Sequence, residues 1–332
     1  MIRLLGRCIV LVLAWFLCVA QGSEAIPTGD SPLNAWLMRV HQAARQSVYT
    51  GTFVVSSGGN MASARIWHVC DGAQQLERVE TLSGTPRAIF RRNDQVVTFF
   101  PLSKVAVAEV RESLGLFPSL LKSSDSSIGD FYRLKILGSE RIAGFEAEIA
   151  QLIPHDRLRY GYRVWSEKKT GLIIQLQTLD LDGKVLEQAA FSELQLDAPV
   201  NVGKLSRLGN TDGYRVLRPE LQKTSAEAQG WGLRKEVDGF RPMACYQRPV
   251  AGQAGAGVSP ASAMQWIFSD GVATVSLFVE AFDARRHQRE GVTDMGGATH
   301  TLTRRISDWW ATVVGASSSG PQATHTQHPH IR

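Results

Sequence analysis

The chain has 332 residues, 44% of them apolar and 20% charged, with a formal net charge of +5. A chain of that size and apolar content can hold two domains with their own cores. So mild a positive balance excludes a strongly basic nucleic-acid binder and is compatible with acidic lipid headgroups.

The N-terminus carries Arg3 and Arg7, a 13-residue apolar run from Cys8 to Ala20, and a small-residue exit at Ala20 or Ala25. That is the pattern of a cleaved secretory signal, expected over residues 1–25; the run is too short to cross a bilayer. Loss of Arg3 and Arg7 takes the formal charge from +5 to +3. Leu17, bulky where lipoprotein processing wants a small residue, argues against Cys18 as a lipidated terminus. A periplasmic protein is therefore expected. Cys8 and Cys18 leave with the signal. Cys70 and Cys245 remain and are expected as buried free thiols, although export would permit a disulfide.

Next comes Asp30-Ser31-Pro32, then Leu33, Trp36, Leu37, Val40 and Ala44, one apolar stripe with Ser31 as N-cap and Pro32 at the first helical position. From Tyr49 to about Leu196, β-rich runs alternate with turns such as Gly58-Gly59-Asn60, Asn93-Asp94, Lys169-Thr170-Gly171 and Asp182-Gly183. Short connections pair neighbouring strands antiparallel. Residues 111–129 interrupt them with Leu114, Leu116, Phe117, Leu120 and Leu121, an apolar loop or short helix of the kind that forms a lid. The pattern lapses from Asp197 to Gly213, where a flexible linker and relative motion of the two halves are expected. Strands resume at Phe240–Gln247, Met264–Ser269, Val272–Phe282, Thr299–Arg305 and Trp309–Val314, with Ser269-Asp270-Gly271 as a tight hairpin signal. Pro249 to Ser262 is a glycine- and alanine-rich loop, and from Ser317 a polar tail follows.

The expected fold is α+β, mostly β. It is a large curved antiparallel sheet with the helix on its concave side, plus a smaller C-terminal β-domain. The divisions are 26–198, a linker over 199–213, 214–316 and a disordered tail over 317–332. A concave face carrying Trp67, Phe90, Phe99 and Trp165, with Trp36 from the helix and Phe117 from the loop, would host acyl chains. Arginines crowd the second half. Of these, Arg234, Arg241, Arg285, Arg286 and Arg304 are candidates for a partner or an anionic headgroup.

Catalytic motifs are missing. There is no G-x-S-x-G, no H-E-x-x-H, no P-loop, and no G-x-G-x-x-G after a strand. Asp180-Leu181-Asp182-Gly183 lacks the closing glutamate of a calcium loop and reads as a hairpin turn. His325, His328 and His330 lie in the tail, and His68 alternates with Ile66 and Cys70 on one strand face, as a hydrogen-bonded core or rim histidine does. No metal, no cofactor and no enzymatic activity are expected.

Several segments, taken in order, resemble the MucB/RseB family. They are Trp36-Leu37-Met38-Arg39, Tyr49 to Val54, Ile66-Trp67-His68, Arg159-Tyr160-Gly161-Tyr162, Lys169 to Leu172 and Asp182 to Glu187. In the second half Ser269-Asp270-Gly271-Val272, Ser276 to Glu280, Gly297-Ala298-Thr299 and Val313-Val314-Gly315 follow. The resemblance implies a larger N-terminal domain like the lipoprotein carriers LolA and LppX, a half barrel, and a smaller C-terminal β-domain. It implies a periplasmic negative regulator of a sigma-E-type envelope-stress response. Such a regulator binds the periplasmic domain of an RseA/MucA-like anti-sigma factor, shields it from proteolysis, and releases it when lipopolysaccharide, acyl chains or mislocalised lipoprotein engage. The family usually continues after Val-Val-Gly with an acidic residue and proline. Here Ala316-Ser317-Ser318-Ser319-Gly320 follows, and the tail to Arg332 is expected to be unrelated to the family. Two other readings stand beside the regulator: a lipid or lipoprotein carrier, and a periplasmic hydrolase. A carrier needs no second domain, and a hydrolase needs a nucleophile–base pair the sequence does not display. A homo-oligomer is left open.

Overall fold

The computed structural model describes residues 32–70, 72, 74–110, 127–250 and 262–316. The signal segment, Ser31, Phe117 with the rest of 111–126, the loop over 251–261 and the tail from 317 lie outside the described residues.

Helix α1 (Pro32–Gln46) buries the expected stripe of Leu33, Trp36, Leu37, Val40 and Ala44, together with Ala43. Six strands follow in a meander: β1 (Tyr49–Ser57), β2 (Asn60–Cys70), β3 (Gln75–Thr81), β4 (Ala88–Arg92), β5 (Gln95–Phe100) and β6 (Val105–Val110). A one-turn helix α2 (Ile128–Phe131) leads into a second meander of β7 (Tyr132–Ile142), β8 (Phe145–Pro154), β9 (Gly161–Glu167), β10 (Ile173–Leu179) and β11 (Val185–Leu196). Pairing of β1 with β11 fuses the two meanders into one sheet. Leu158–Tyr160, inside the β-rich stretch from Tyr49 to Leu196, forms a bend. There the Asp156 carboxylate accepts from the Leu158 amide at 2.9 Å, and Arg159 leaves the ladder for the partner described below. Asp180 accepts from the Asp182 and Lys184 amides at 2.9 and 2.8 Å, which makes the Asp182-Gly183 segment a capped hairpin turn.

The segment expected as a flexible linker is folded. Helix α3 (Val202–Arg207) is capped by Asn201, whose side chain accepts from the Lys204 amide at 2.8 Å. Its Leu205 is buried. Strand β12 (Arg215–Leu217) then pairs in parallel with β6, so the large sheet has twelve strands in the order β12-β6-β5-β4-β3-β2-β1-β11-β10-β9-β8-β7. Of the glycines in this segment, Gly209 serves close packing. A Cβ on Gly209 would lie 2.3 Å from the Phe90 ring.

The second sheet holds seven strands: β13 (Gln222–Lys223), β14 (Arg241–Pro249), β15 (Ser262–Ser269), β16 (Thr274–Ala281), β17 (Gly291–Asp294), β18 (Thr299–Ile306) and β19 (Trp309–Ala316). Their order is β13-β14-β15-β16-β19-β18-β17. Trp231, Trp266, Phe268, Leu277 and Ala311 form its core. The Ser269-Asp270-Gly271 signal does make the β15–β16 hairpin, with Ser269 opposite Thr274. Cys70 is half-buried and Cys245 buried, both as free thiols.

Candidate functional site

Strand alternation divides the large sheet into two unlike faces. Tyr49, Phe53, Ala64 and Ile66 face α1 and cluster with its Ala43. The N-terminal half of α1 packs Leu33, Trp36, Leu37 and Val40 onto Ala150, Leu152, Val164 and Ile173. Trp67 lies between Ile66 and His68 and so points to the other face. There Val69, Leu76, Phe90, Phe99 and Ala106 form a separate cluster closed by Leu205, Val200, Tyr214 and Val216. The Phe99 ring meets Tyr214 edge-on at 5.2 Å.

Of the six aromatics expected to line one acyl site, Trp36 is core under α1, and Phe90 and Phe99 are buried under the α3 segment. Trp67 is half-buried beside them. Trp165 is buried in the Tyr49 cluster, its Nε1 donating to Glu140 at 2.9 Å, and Phe117 lies outside the described residues. They do not share one face. The reason is the two-residue period of a strand: bulk drew attention to Trp67, and its register assigns it away from α1.

The open apolar surface lies elsewhere. Beyond β2 the α1 face continues over β3 to β6, in two cross-strand rows. The inner row is Ile66, Val79, Ile89, Thr98 and Val107, of which all but Ile66 are only half-buried. The outer row, nearer the turn at Asn93, is Tyr49, His68, Glu77, Arg91, Val96 and Glu109. Small β-branched residues gave no signal as a site because each is an ordinary strand residue.

His68 is fully buried. Its ring stacks on Tyr49 at 4.9 Å, Nδ1 donates to the Ser47 carbonyl at 2.7 Å, and Nε2 accepts from the Gln75 amide at 2.8 Å. Burial, assisted by Arg91, pushes its pKa down to about 4. Burial pushes the Glu77 carboxyl up, partly offset by Arg91.

A chain lying along the inner row gains about 0.8 kcal/mol per buried methylene, so about seven methylenes contribute about 5–6 kcal/mol before ordering costs. Val79→Asp is accordingly expected to weaken binding of a fluorescent fatty-acid probe by about tenfold or more. Trp67→Ser is expected to leave it within about twofold, because its side chain is on the other face. Equal losses in the two variants would sink this assignment of faces.

The second feature is the joint between the sheets, which unites two of the sequence segments that carry the family resemblance. Arg159 Nε donates to Asp270 Oδ2 at 2.8 Å, with both side chains fully buried. Arg159 also binds the Asp156 carboxylate and the Asp238 carbonyl, and its guanidinium lies over the Phe131 and Phe240 rings at 4.3 and 5.0 Å. Tyr132 donates to Asp270 Oδ2 at 3.4 Å. The other carboxylate oxygen of Asp270 accepts from the Val272 and Ala273 amides at 3.0 and 2.7 Å. The hairpin tip thus seats Val272 in the same apolar cluster as Leu33, Trp36 and Ile128. Gly239, at φ +82, fits only without a Cβ, which would lie 2.5 Å from Phe131 and 2.6 Å from Arg159.

A second contact brings Ala298 and Ser57 together on Glu187 Oε1, each donating at 3.0 Å, while Tyr160 Oη meets His300 Nε2 at 3.0 Å. A Cβ on Gly297, at φ +66, would lie 2.2 Å from Ser57 Oγ. Sequence reasoning missed this joint because its halves are over a hundred residues apart, although Arg159 and Asp270 stand in the motifs it quoted.

The arginine candidates do not converge. Arg241 starts β14 and Arg304 sits in β18, four strand spacings or about 19 Å apart across the sheet. Arg234 is exposed in the stretch before β14. Arg285 pairs with Asp283, and Arg286 with Glu280 and Asp283, so neighbouring carboxylates already neutralise this turn.

Fold and site define a two-domain binding protein: a large open sheet with one part-covered apolar face, plugged by the hairpin of a smaller β-domain. Two family models match the chain in order, the MucB/RseB N-terminal domain over residues 32–208 and the MucB/RseB C-terminal domain over 225–324. The chain belongs to the MucB/RseB family. The C-terminal match runs past Ala316 into the tail that seemed unrelated, and β19 is formed and paired on both sides. Among relatives, the sigma factor AlgU regulatory protein MucB of Pseudomonas aeruginosa is 26% identical over 273 residues, covering 82% of this chain and 80% of its own. The sigma-E factor regulatory protein RseB of Haemophilus influenzae is 26% identical over 249 residues, covering 73% and 74%. These names are regulatory. The structure of the Pseudomonas aeruginosa MucA/MucB complex shares the fold at a TM-score of 0.67, with 23% identity, over 91% of this chain and 99% of that one. A crystal structure of MucB superposes at 0.62, with 20% identity, over 90% and 96%.

Proposed function

We propose that this protein is a periplasmic sigma-factor regulator. It binds the periplasmic domain of a MucA-like anti-sigma factor, protects it from proteolysis, and gives it up when acyl chains of lipid, lipopolysaccharide or mislocalised lipoprotein occupy the open half of the α1 face. The observation that carries this reading is the family match through both domains in order. The half-buried Val79, Ile89, Thr98 and Val107 support the acyl part. A cleaved signal over residues 1–25 supports the compartment. A simple lipid carrier would need only the large sheet. Here the small domain plants Val272 in the large domain's core beside α1, which favours a protein in which the two report on each other.

A ligand shifts such a molecule only through different affinities for its two states, and the coupling is reciprocal. Isothermal titration of the MucA-like segment is therefore expected to give an affinity about 5–150-fold weaker when lipopolysaccharide is bound. Lipopolysaccharide should bind more weakly by the same factor when the segment is bound. Additive binding of the two, with no change in either constant, would leave the carrier as the better reading.

A further inference from the structure

The geometry points to a headgroup subsite at the mouth of the acyl face, formed by Glu77 and Arg91 and fitted to a zwitterionic head that donates from an ammonium and accepts on a phosphate. The inference rests on the acyl-binding reading and adds the chemistry of the head.

Glu77 and Arg91 are direct cross-strand partners on β3 and β4, on the α1 face, in the row next to the rim. One step inward the same strands carry Val79 and Ile89, and the apolar row begins. An amphiphile whose chain starts at Val79 and Ile89 and runs over Thr98 toward Val107 has its head at this pair. Both side chains are half-buried. Among the described residues Glu77 makes no hydrogen bond or ion pair, and Arg91 uses only Nε, on the Asn93 carbonyl at the adjacent turn. The remaining guanidinium donors suit a phosphate or carboxylate oxygen. A carboxylate drawn into an apolar surface without a donor is costly, and a ligand that brings an N–H⁺ removes that cost. Of the flanking residues in the row, His68 has both ring nitrogens engaged, and Val96 opposite Arg91 is buried. A head bearing phosphate alone would meet Arg91 but set its charge beside Glu77. A head whose cation lacks N–H would offer Glu77 no hydrogen bond.

The test is direct titration of the full mature chain with three single-chain lipids of equal acyl length, each below its micelle concentration. These are lysophosphatidylethanolamine, lysophosphatidylcholine and lysophosphatidic acid. The ethanolamine lipid is expected to bind about tenfold tighter than either of the others, the worth of one charge-assisted hydrogen bond. Glu77→Gln is expected to erase that preference while retaining binding of the chain, and Arg91→Gln to weaken all three. The ranking in the wild-type chain stands even if a variant folds poorly, which circular dichroism would show. Equal affinities, or a preference that survives Glu77→Gln, overturn the subsite and leave acyl binding intact. Failure of all three lipids to bind overturns the acyl-binding reading and the subsite with it.

Discussion

Asp270→Ala is expected to cost about 3 kcal/mol, the low end for a broken buried pair, and to loosen the small domain from the large one, because the buried Arg159 guanidinium then keeps only the part-exposed Asp156 carboxylate. The effect is large for three reasons. Both side chains are fully buried, Tyr132 loses an acceptor, and the Val272 and Ala273 amides lose the cap that shapes the hairpin tip. Urea unfolding should show the loss. Limited proteolysis should cut the connection after β12 sooner, since α3 is packed and the first unanchored chain follows Leu217. The double variant Arg159→Met with Asp270→Leu is expected to recover part of the stability, as apolar replacements of buried ion pairs often do. An Asp270→Ala chain as stable and as protease-resistant as the wild type would show that the ion pair does not hold the joint. If the joint also couples lipid to partner, Asp270→Ala should bring the two titrations closer to independence.

Stability is expected to fall by up to about 3 kcal/mol as the pH drops from about 6.5 to about 4, on account of His68. The sign follows from its pKa, which is lowered to about 4 in the folded chain and ordinary when unfolded. Between those values the unfolded chain takes up a proton that the native chain refuses. Native stability is therefore complete above about 6.5 and lost on acidification. The cause is geometric: a protonated ring would direct a second N–H at the Gln75 amide inside a buried pocket. Glu77, whose carboxyl is raised, acts in the opposite sense. Urea midpoints measured at half-unit pH intervals check this. His68→Gln should be less stable at neutral pH and have a flatter profile. An unchanged slope in His68→Gln would assign the pH dependence to other groups.

Much of the fold was legible along the chain. The 3.6-residue period from Leu33 to Ala44 marked α1 and its buried face, and the turn chemistry at Asn93, Gly171, Gly183 and Asp270-Gly271 marked the hairpins. These signals are local: a helix stripe and a positive φ are read from a few adjacent residues. Family membership was legible too, through segments in a fixed order.

What the sequence could not decide is which side of the sheet each strand residue takes and which distant segments meet. Trp67 and Val79 look alike in kind, as apolar residues in strands, yet cross-strand register sends Val79 to the α1 face and Trp67 away from it. The stretch at 199–213 looked like linker because glycine and polar residues also describe a helix laid tightly on Phe90. Arg159 and Asp270 are ordinary charges until the tertiary structure removes both from water and opposes them. Periodicity is written in the neighbouring residues; burial and pairing across a hundred residues exist only once the chain has closed on itself.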